Sequence, residues 1–375
     1  MEVQVTEALN TLPVSTYRWL KLNALHLDRP IKRRISPYHK PYIQRMGDER
    51  VTIAPVTQVN VQDYLPPIPG FAIDAGYGVS GELVPIGETH YNSGVLVHVP
   101  QGHWAATPVE IAYGIDSDND ILVDHNLIVA ERGSQVTVII DYHSDPVTRG
   151  FHSGTMRVYA QAGAQVTVVK VQRLNDVSQH FDSTVAYVER DAKVSFVQVE
   201  LGGQNAVTSY TNNLGEAGEA ELNVLYLGDK ERRLDLSYLL NHIGPRSLSD
   251  LAVRGALKDT AKKVFRGTID FHPGARRARG SEEESVLLLD KGVKSDAVPL
   301  LLCREDDVQG NHAASAGQVD ETQLFYLMSR GFSYSEALKL LVEASFRPVL
   351  ERIPNTRLRE AIDAEIHRRL VNAAL

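Results

Sequence analysis

Between residues 94 and 302 the chain alternates apolar and polar positions with a period of two. The segments "GVLVHVP", "ILVDHNLIVA", "SQVTVIIDYH", "TMRVYAQ", "AQVTVVKVQR", "STVAYVE", "AKVSFVQVEL" and "ELNVLYLG" follow one another, separated by Gly, Asp and Asn. Such alternation predicts strands that each bury one face. No segment of helical period interrupts them before about residue 240. A near-repeat runs through the same region. "ERGSQVTV" begins at Glu131, "QAGAQVTV" at Gln161, "ERDAKVSF" at Glu189 and "EAGEAELN" at Glu216. In the first three copies a turn residue (Gly133, Gly163 or Asp191) precedes Val136, Val166 or Val194 by three positions. The fourth copy is offset by one residue, which reverses its faces unless a bulge absorbs the difference. Units of 27 to 30 residues with strand and turn content suggest the stacked coils of a β-helix or solenoid. A β-sandwich also gives short strands with regular turns.

The flanks read differently. Residues 1–93 form an N-terminal segment, helical or irregular. Its "STYRWLKLNALHL" has helical spacing through Trp19, Leu22 and Leu25. The basic run over residues 29–45 is too broken by proline for a long helix. It reads as a solvated arm, with a specific anionic contact as the alternative. After residue 317 the texture turns helical. Asp320 is an N-cap, Leu324, Leu327 and Met328 mark one face with Phe325 beside it, and Gly331 is a stop. "SYSE" at 333–336 is a capping box for a second helix carrying Ala337, Leu338, Leu341 and Val342 and ending at Pro348. A third helix after Pro354 spaces Leu358, Ile362, Ile366 and Leu370 by four. The expected division is 1–93, a β core over 94–317, and a C-terminal helical subdomain over 318–375.

Composition narrows the function classes. With 375 residues the chain can bury a sizeable core. A net charge of −8 argues against a general nucleic-acid binder. One cysteine excludes an internal disulfide framework and any multi-cysteine metal site built by this chain alone. Apolar runs are too short to span a membrane, and "MEVQVTEALN" has no apolar leader core, so the expectation is a cytoplasmic protein.

Several motifs fail on inspection. "GYGVSG" at 76–81 matches a dinucleotide fingerprint, but Pro85 and Gly87 follow, so no helix is expected to open there. "DSDND" at 116–120 has Ile121 and Leu127 where a calcium loop needs Gly and Glu, and reads as a polar turn. His98, His103, His125, His143, His152 and His180 are scattered through the strands without a tight pair. Cys303 ends the apolar "PLLLC" and reads as a buried small hydrophobe. The other reading joins it to Glu305, Asp306, Asp307 and His312, which are iron-ligand types.

The stretch "DDVQGNHAASAGQVDETQLFYLMSRG" resembles the signature of the SufB/SufD family of iron–sulfur cluster assembly scaffolds. "LIVAERGSQVTVIIDY", "KVQRLNDVSQHFDSTVAYVERDA", "AELNVLYLGD" and "ESVLLLDKGVKSDAVPLL" are similar to the family as well. The resemblance implies a mainly β fold: a right-handed parallel β-helix core with a short helical N-terminal segment and a C-terminal helical subdomain. It implies a non-catalytic scaffold in the SUF system. Its partners would be a SufB-like scaffold and a SufC-like ABC ATPase docking on the C-terminal helices, through Leu324, Phe325, Tyr326, Leu327 and Arg330. A homodimer through the β-helix is equally compatible. The resemblance also implies that loop residue His312 serves the cluster-assembly interface as a transient iron ligand. No cofactor is held stably by the chain alone; the cluster is transient cargo. The family's loop cysteine is Gly310 here, and the B-type cluster cysteine is Ser295, so the chain is closer to the D-type. A stand-alone β-helix or cupin-like metal-binding enzyme, built on the strand histidines, is the competing reading.

Overall fold

The computed structural model describes residues 2–6, 8–16, 18–46, 48–71 and 76–371. Four short strands begin the chain: β1 (Glu2–Val5), β2 (Ile31–Arg34), β3 (Ile43–Met46) and β4 (Thr52–Pro55). Helix α1 (Leu83–Thr89) follows. The remaining strands are dealt alternately to two sheets. One sheet receives β5 (Val95–Val99), β7 (Ile121–Ala130), β9 (Phe151–Ala160), β11 (Gln179–Val188), β13 (Asn205–Leu214), β15 (Arg233–His242), β17 (Lys262–Phe271) and β19 (Lys294–Cys303). The other receives β6 (Val109–Ile115), β8 (Gln135–Ser144), β10 (Gln165–Arg173), β12 (Lys193–Glu200), β14 (Glu219–Gly228), β16 (Leu248–Leu257), β18 (Ala278–Leu288) and β20 (Val308–Gln318). Neighbours within these two sets run parallel, so each coil gives one strand to each sheet. The result is a β-solenoid of about eight turns, not a sandwich or a cupin barrel. At its N-terminal end β4 and β3 pair antiparallel with β5 and β6. At the other end β19 and β20 are the last strands.

The near-repeat is the coil. Gln135, Gln165, Lys193, Glu219 and Leu248 share one register position and lie 30, 28, 26 and 29 residues apart. The turn residues Gly133, Gly163, Asp191 and Ala217 have φ of 66°, 72°, 58° and 50°. The fourth copy therefore needs no bulge. Its frame opens at Gly215, its left-handed residue is Ala217, and Ala220 pairs with Val194 on the same face.

Both outer faces are covered, so most strands are buried on two sides. Val3, Val5, Leu9 and Leu83 pack on Ile121, Phe151, Phe181 and Val207 of one sheet. On the other sheet, α3 (Tyr334–Leu350) and α4 (Thr356–Val371) lay Val342, Phe346, Ile362 and Ile366 over Ile139, Val169, Val197 and Leu225. Each such side chain contributes about 1.5–3 kcal/mol of burial.

Three local readings change. The helical spacing around Trp19 yields only a 3₁₀ turn, Arg18–Leu20. There the backbone is spent on tertiary bonds, Leu12 N–H to Asn23 and Leu25 N–H to Leu9. A helix does open after "GYGVSG", because Pro85 falls in the first turn of α1, where its missing N–H is not needed. Helix α3 runs two residues past Pro348, which sits in its last turn.

Candidate functional site: the open end of the solenoid

Among the described residues, the outer edges of β19 and β20 are unpaired. His312 lies on β20, within a strand rather than a loop. It pairs with Glu282 in register, at the end of a column running Leu222, Leu251, Glu282, His312. Leu222 and Leu251 belong to the interior core, so this column faces inward. With no further coil above it, His312 is exposed, and it has no hydrogen bond or ion pair among the described residues.

Directly beneath it the interior is charged. Glu282 is buried with both carboxylate oxygens unpartnered, and burial pushes its carboxyl up to about 8. Glu284 accepts from Lys263 Nζ at 2.9 Å and from the Tyr226 hydroxyl at 3.0 Å. Burial raises the Glu284 pKa and lowers that of Lys263. Lys263 Nζ also donates to the Asp296 carbonyl of β19 at 3.1 Å. Gly267 of β17 faces this group, and a Cβ there would overlap the Glu282 carboxylate.

Beside the open end, Asp320 caps α2 (Glu321–Ser329) by accepting from the Thr322 N–H at 2.8 Å. No residue of α2 is buried. Phe325 is 72% exposed and Tyr326 55%, with the Arg330 guanidinium 5.1 Å from the Tyr326 ring centroid. Leu324 and Leu327 are half-buried. Leu324 and Phe325 line a groove of about 670 Å³ with Leu288, Leu289 and Leu338. Four of the five residues expected on a docking face thus lie on one short helix, and the fifth, Arg330, is its C-cap.

The strand histidines do not converge on a metal. His98 meets Glu131 at 2.9 Å, His103 meets Asp48 at 3.2 Å and His143 lies 3.6 Å from Asp141. His152 and His180 form a buried pair, Nδ1 to Nδ1 at 2.7 Å, with His152 Nε2 2.5 Å from Asp124. Buried His125 bonds Thr155 instead. Among the described residues no group of three or more His, Cys, Asp or Glu has the geometry to hold a metal ion.

Residues 113–345 match the family model for the SUF system FeS cluster assembly, SufBD core domain. That is more than half of the chain. The chain belongs to the SufBD family. It is 31% identical to the iron–sulfur cluster assembly protein SufD of Bacillus subtilis, over 74% of this chain and 64% of that protein. A SufBD family protein of Mycobacterium leprae is 29% identical over 75% of this chain and 73% of its own. A Staphylococcus epidermidis SufBD protein is 26% identical over 70% and 57%. This chain therefore spans less than two thirds of the Bacillus and Staphylococcus relatives.

Within this SufBD chain the two positions where the resemblance leads one to expect cysteine hold Gly310 and Ser295. Gly310 is inward-facing on β20, and a Cβ there would come within 2.6 Å of Leu301 and 3.0 Å of Phe271. Leu301 fills the space that a side chain at 310 would need. Ser295 stacks on Lys263 in register, so it shares the inner face of β19. Cys303 closes that same face at the far end of the strand, and it is exposed, not buried as its apolar context predicts. Among the described residues no further coil covers it. Sequence reasoning missed Glu282, Glu284 and Lys263. The one available signal was the spacing of two between the acids in "SEEES", which puts both on one face of a strand.

Proposed function

We propose that this SufBD chain is a non-catalytic, D-type scaffold subunit for iron–sulfur cluster assembly in the cytoplasm, with the cluster as its cargo. A B-type scaffold chain pairs with the open edges of β19 and β20. An ABC-type ATPase docks on α2 through Leu324, Phe325, Tyr326, Leu327 and Arg330, an aromatic and arginine set of the kind that anchors interfaces. The observation that carries the reading is His312, an imidazole unpartnered among the described residues, on the inner face of an unpaired edge strand. Whatever chain completes that edge meets its ring nitrogens, which can ligate iron or move a proton. Glycine at 310 and serine at 295 offer no thiolate, so this reading takes the thiolate from the partner, and the exposed Cys303 on the same inner face is the residue whose substitution checks it.

The test is cluster formation by the chain reconstituted with a B-type scaffold and the ATPase. His312→Ala should keep stability within about 0.5 kcal/mol, as at other exposed sites, while cluster yield falls at least about tenfold, the loss of a single strong contact. Cys303→Ala, equally exposed, should leave both unchanged. Normal cluster formation by His312→Ala overturns the assignment. Native mass of the mixture separates a heterodimer from a homodimer formed through the same edge.

A further inference from the structure

The basic run that begins at Arg29 has no part in the open-end site. Residues 27–31 cross the turns that open β9, β11, β13, β15 and β17, and a groove of about 690 Å³ lies between arm and turns. Four cations line it (Arg29, Arg149, Arg233 and Lys262) against two acids, Asp28 and Glu231. The chain as a whole has 39 Lys and Arg to 47 Asp and Glu, so the groove reverses its charge balance. Among the described residues only one of the four cations has an ion-pair partner: Arg233 Nη1 holds Asp28 at 2.7 Å and pins the arm in place. The side chains of Arg29, Arg149 and Lys262 have no hydrogen bond or ion pair among the described residues. Between them runs an amide ladder, Gln179 donating to Gln204 at 3.0 Å and Asn205 to Gln179 at 2.7 Å. Each of these amide nitrogens has a second N–H to offer.

We propose that this groove binds a small molecule through a chain of two or three phosphates. Its size is that of a small-molecule site. Arg29, Arg149 and Lys262 face one remaining acid, Glu231, so the groove keeps a positive excess; a multivalent anion relieves that where a single carboxylate relieves one contact only. Arginine's planar fork suits phosphate oxygens, and the amide donors can take the remaining ones. No aromatic residue is among the groove's lining, so nothing stacks on a base, and a net charge of −8 opposes a long polyanion.

The test is calorimetric titration of the full chain with inorganic triphosphate at about 0.15 M salt, where long-range attraction is screened. Saturable binding is expected. The double variant Arg149→Ser/Lys262→Ser should weaken it at least about tenfold, and Arg29→Ser, on the arm, should weaken it independently. Arg132→Ser, an exposed arginine on another turn, should not. Thermal midpoints equal to wild type show that the variants are folded. ATP should bind no more than about tenfold tighter than triphosphate, because no ring stacks on its base. Absence of saturable binding, wild-type affinity in both groove variants, or binding of ATP without triphosphate overturns the proposal.

Discussion

Glu282 shows how far a residue's meaning depends on register. In the sequence it belongs to an acid run that looks solvated; in the fold it points inward one strand from His312, with no partner for either oxygen. His312 stands out in the sequence because its neighbours carry a family signature. Its strand setting does not, since Gly, Ala and Ser around it read as loop. Cys303 was misjudged for a related reason. The pattern of "PLLLC" says which way a side chain points, but burial also requires a following coil. Gly267 supplies a test at this scale. Adding a methyl group where the Glu282 carboxylate lies forces that buried side chain to move. Gly267→Ala should cost about 1–3 kcal/mol, the range for overpacking a core, read as a fall in the denaturation midpoint. Glu282→Ala in the same chain should recover part of it, because the two changes share one space.

The elements were read best where their ends carry side-chain chemistry. Asp320 caps α2, Ser333 and Glu336 form the capping box of α3, and Gly331 has the left-handed φ of 99° expected of a stop. The spacing of Leu358, Ile362, Ile366 and Leu370 gave the buried stripe of α4. The segment around Trp19 misled because helical spacing alone cannot outweigh the backbone bonds that fold the segment back on itself, Leu12 to Asn23 and Leu25 to Leu9. The solenoid strands were legible as strands, but their pairing to the next coil was visible only through a faint repeat. Helix α2 differs from α3 and α4 in having no fully buried residue, and its exposed Phe325 and Tyr326 can be changed without opening the core. Phe325→Asp with Tyr326→Asp should leave the thermal midpoint within about 2–4 °C and abolish capture of the ATPase in a pull-down. Retained capture would sink the docking assignment. Truncation at residue 318 is the poorer experiment, since it also strips α3 and α4 from Ile139, Val169 and Val197.

The molecule as a whole keeps ionisable groups inside a solenoid that could have been apolar. Burial pushes Glu200 up to about 8, although Gln198 and Gln172 donate to it at 2.7 and 3.1 Å. Burial takes His242 down to about 3. Glu200 is protonated when folded and ionises freely when unfolded. Its contribution is therefore fully present below its unfolded value of 4.5 and is lost as pH rises towards 8. His242 works the other way: stability is present above 6.5 and lost as pH falls towards 3. Denaturant midpoints should thus decline on both sides of a maximum. Glu200→Gln, already neutral, should remove a few kcal/mol, at most roughly, of the decline between pH 4.5 and 8, and leave the acid side as it was. An unchanged alkaline decline would show that Glu200 does not titrate there. The two ends of the molecule differ in another way. β3 and β4 are four residues long and run against their neighbours; β3 has a register shift and β4 ends in proline, all of which discourage further pairing. β20 carries no such obstruction over eleven residues, whereas β19 holds Pro299 in the middle of its ten and lacks one N–H there. Under the proposed pairing, the open end meets its partner mainly through β20, and two such edges meeting head to head consume one another. Growth into a fibre needs a second open edge of this kind, so that pairing would stop at two chains.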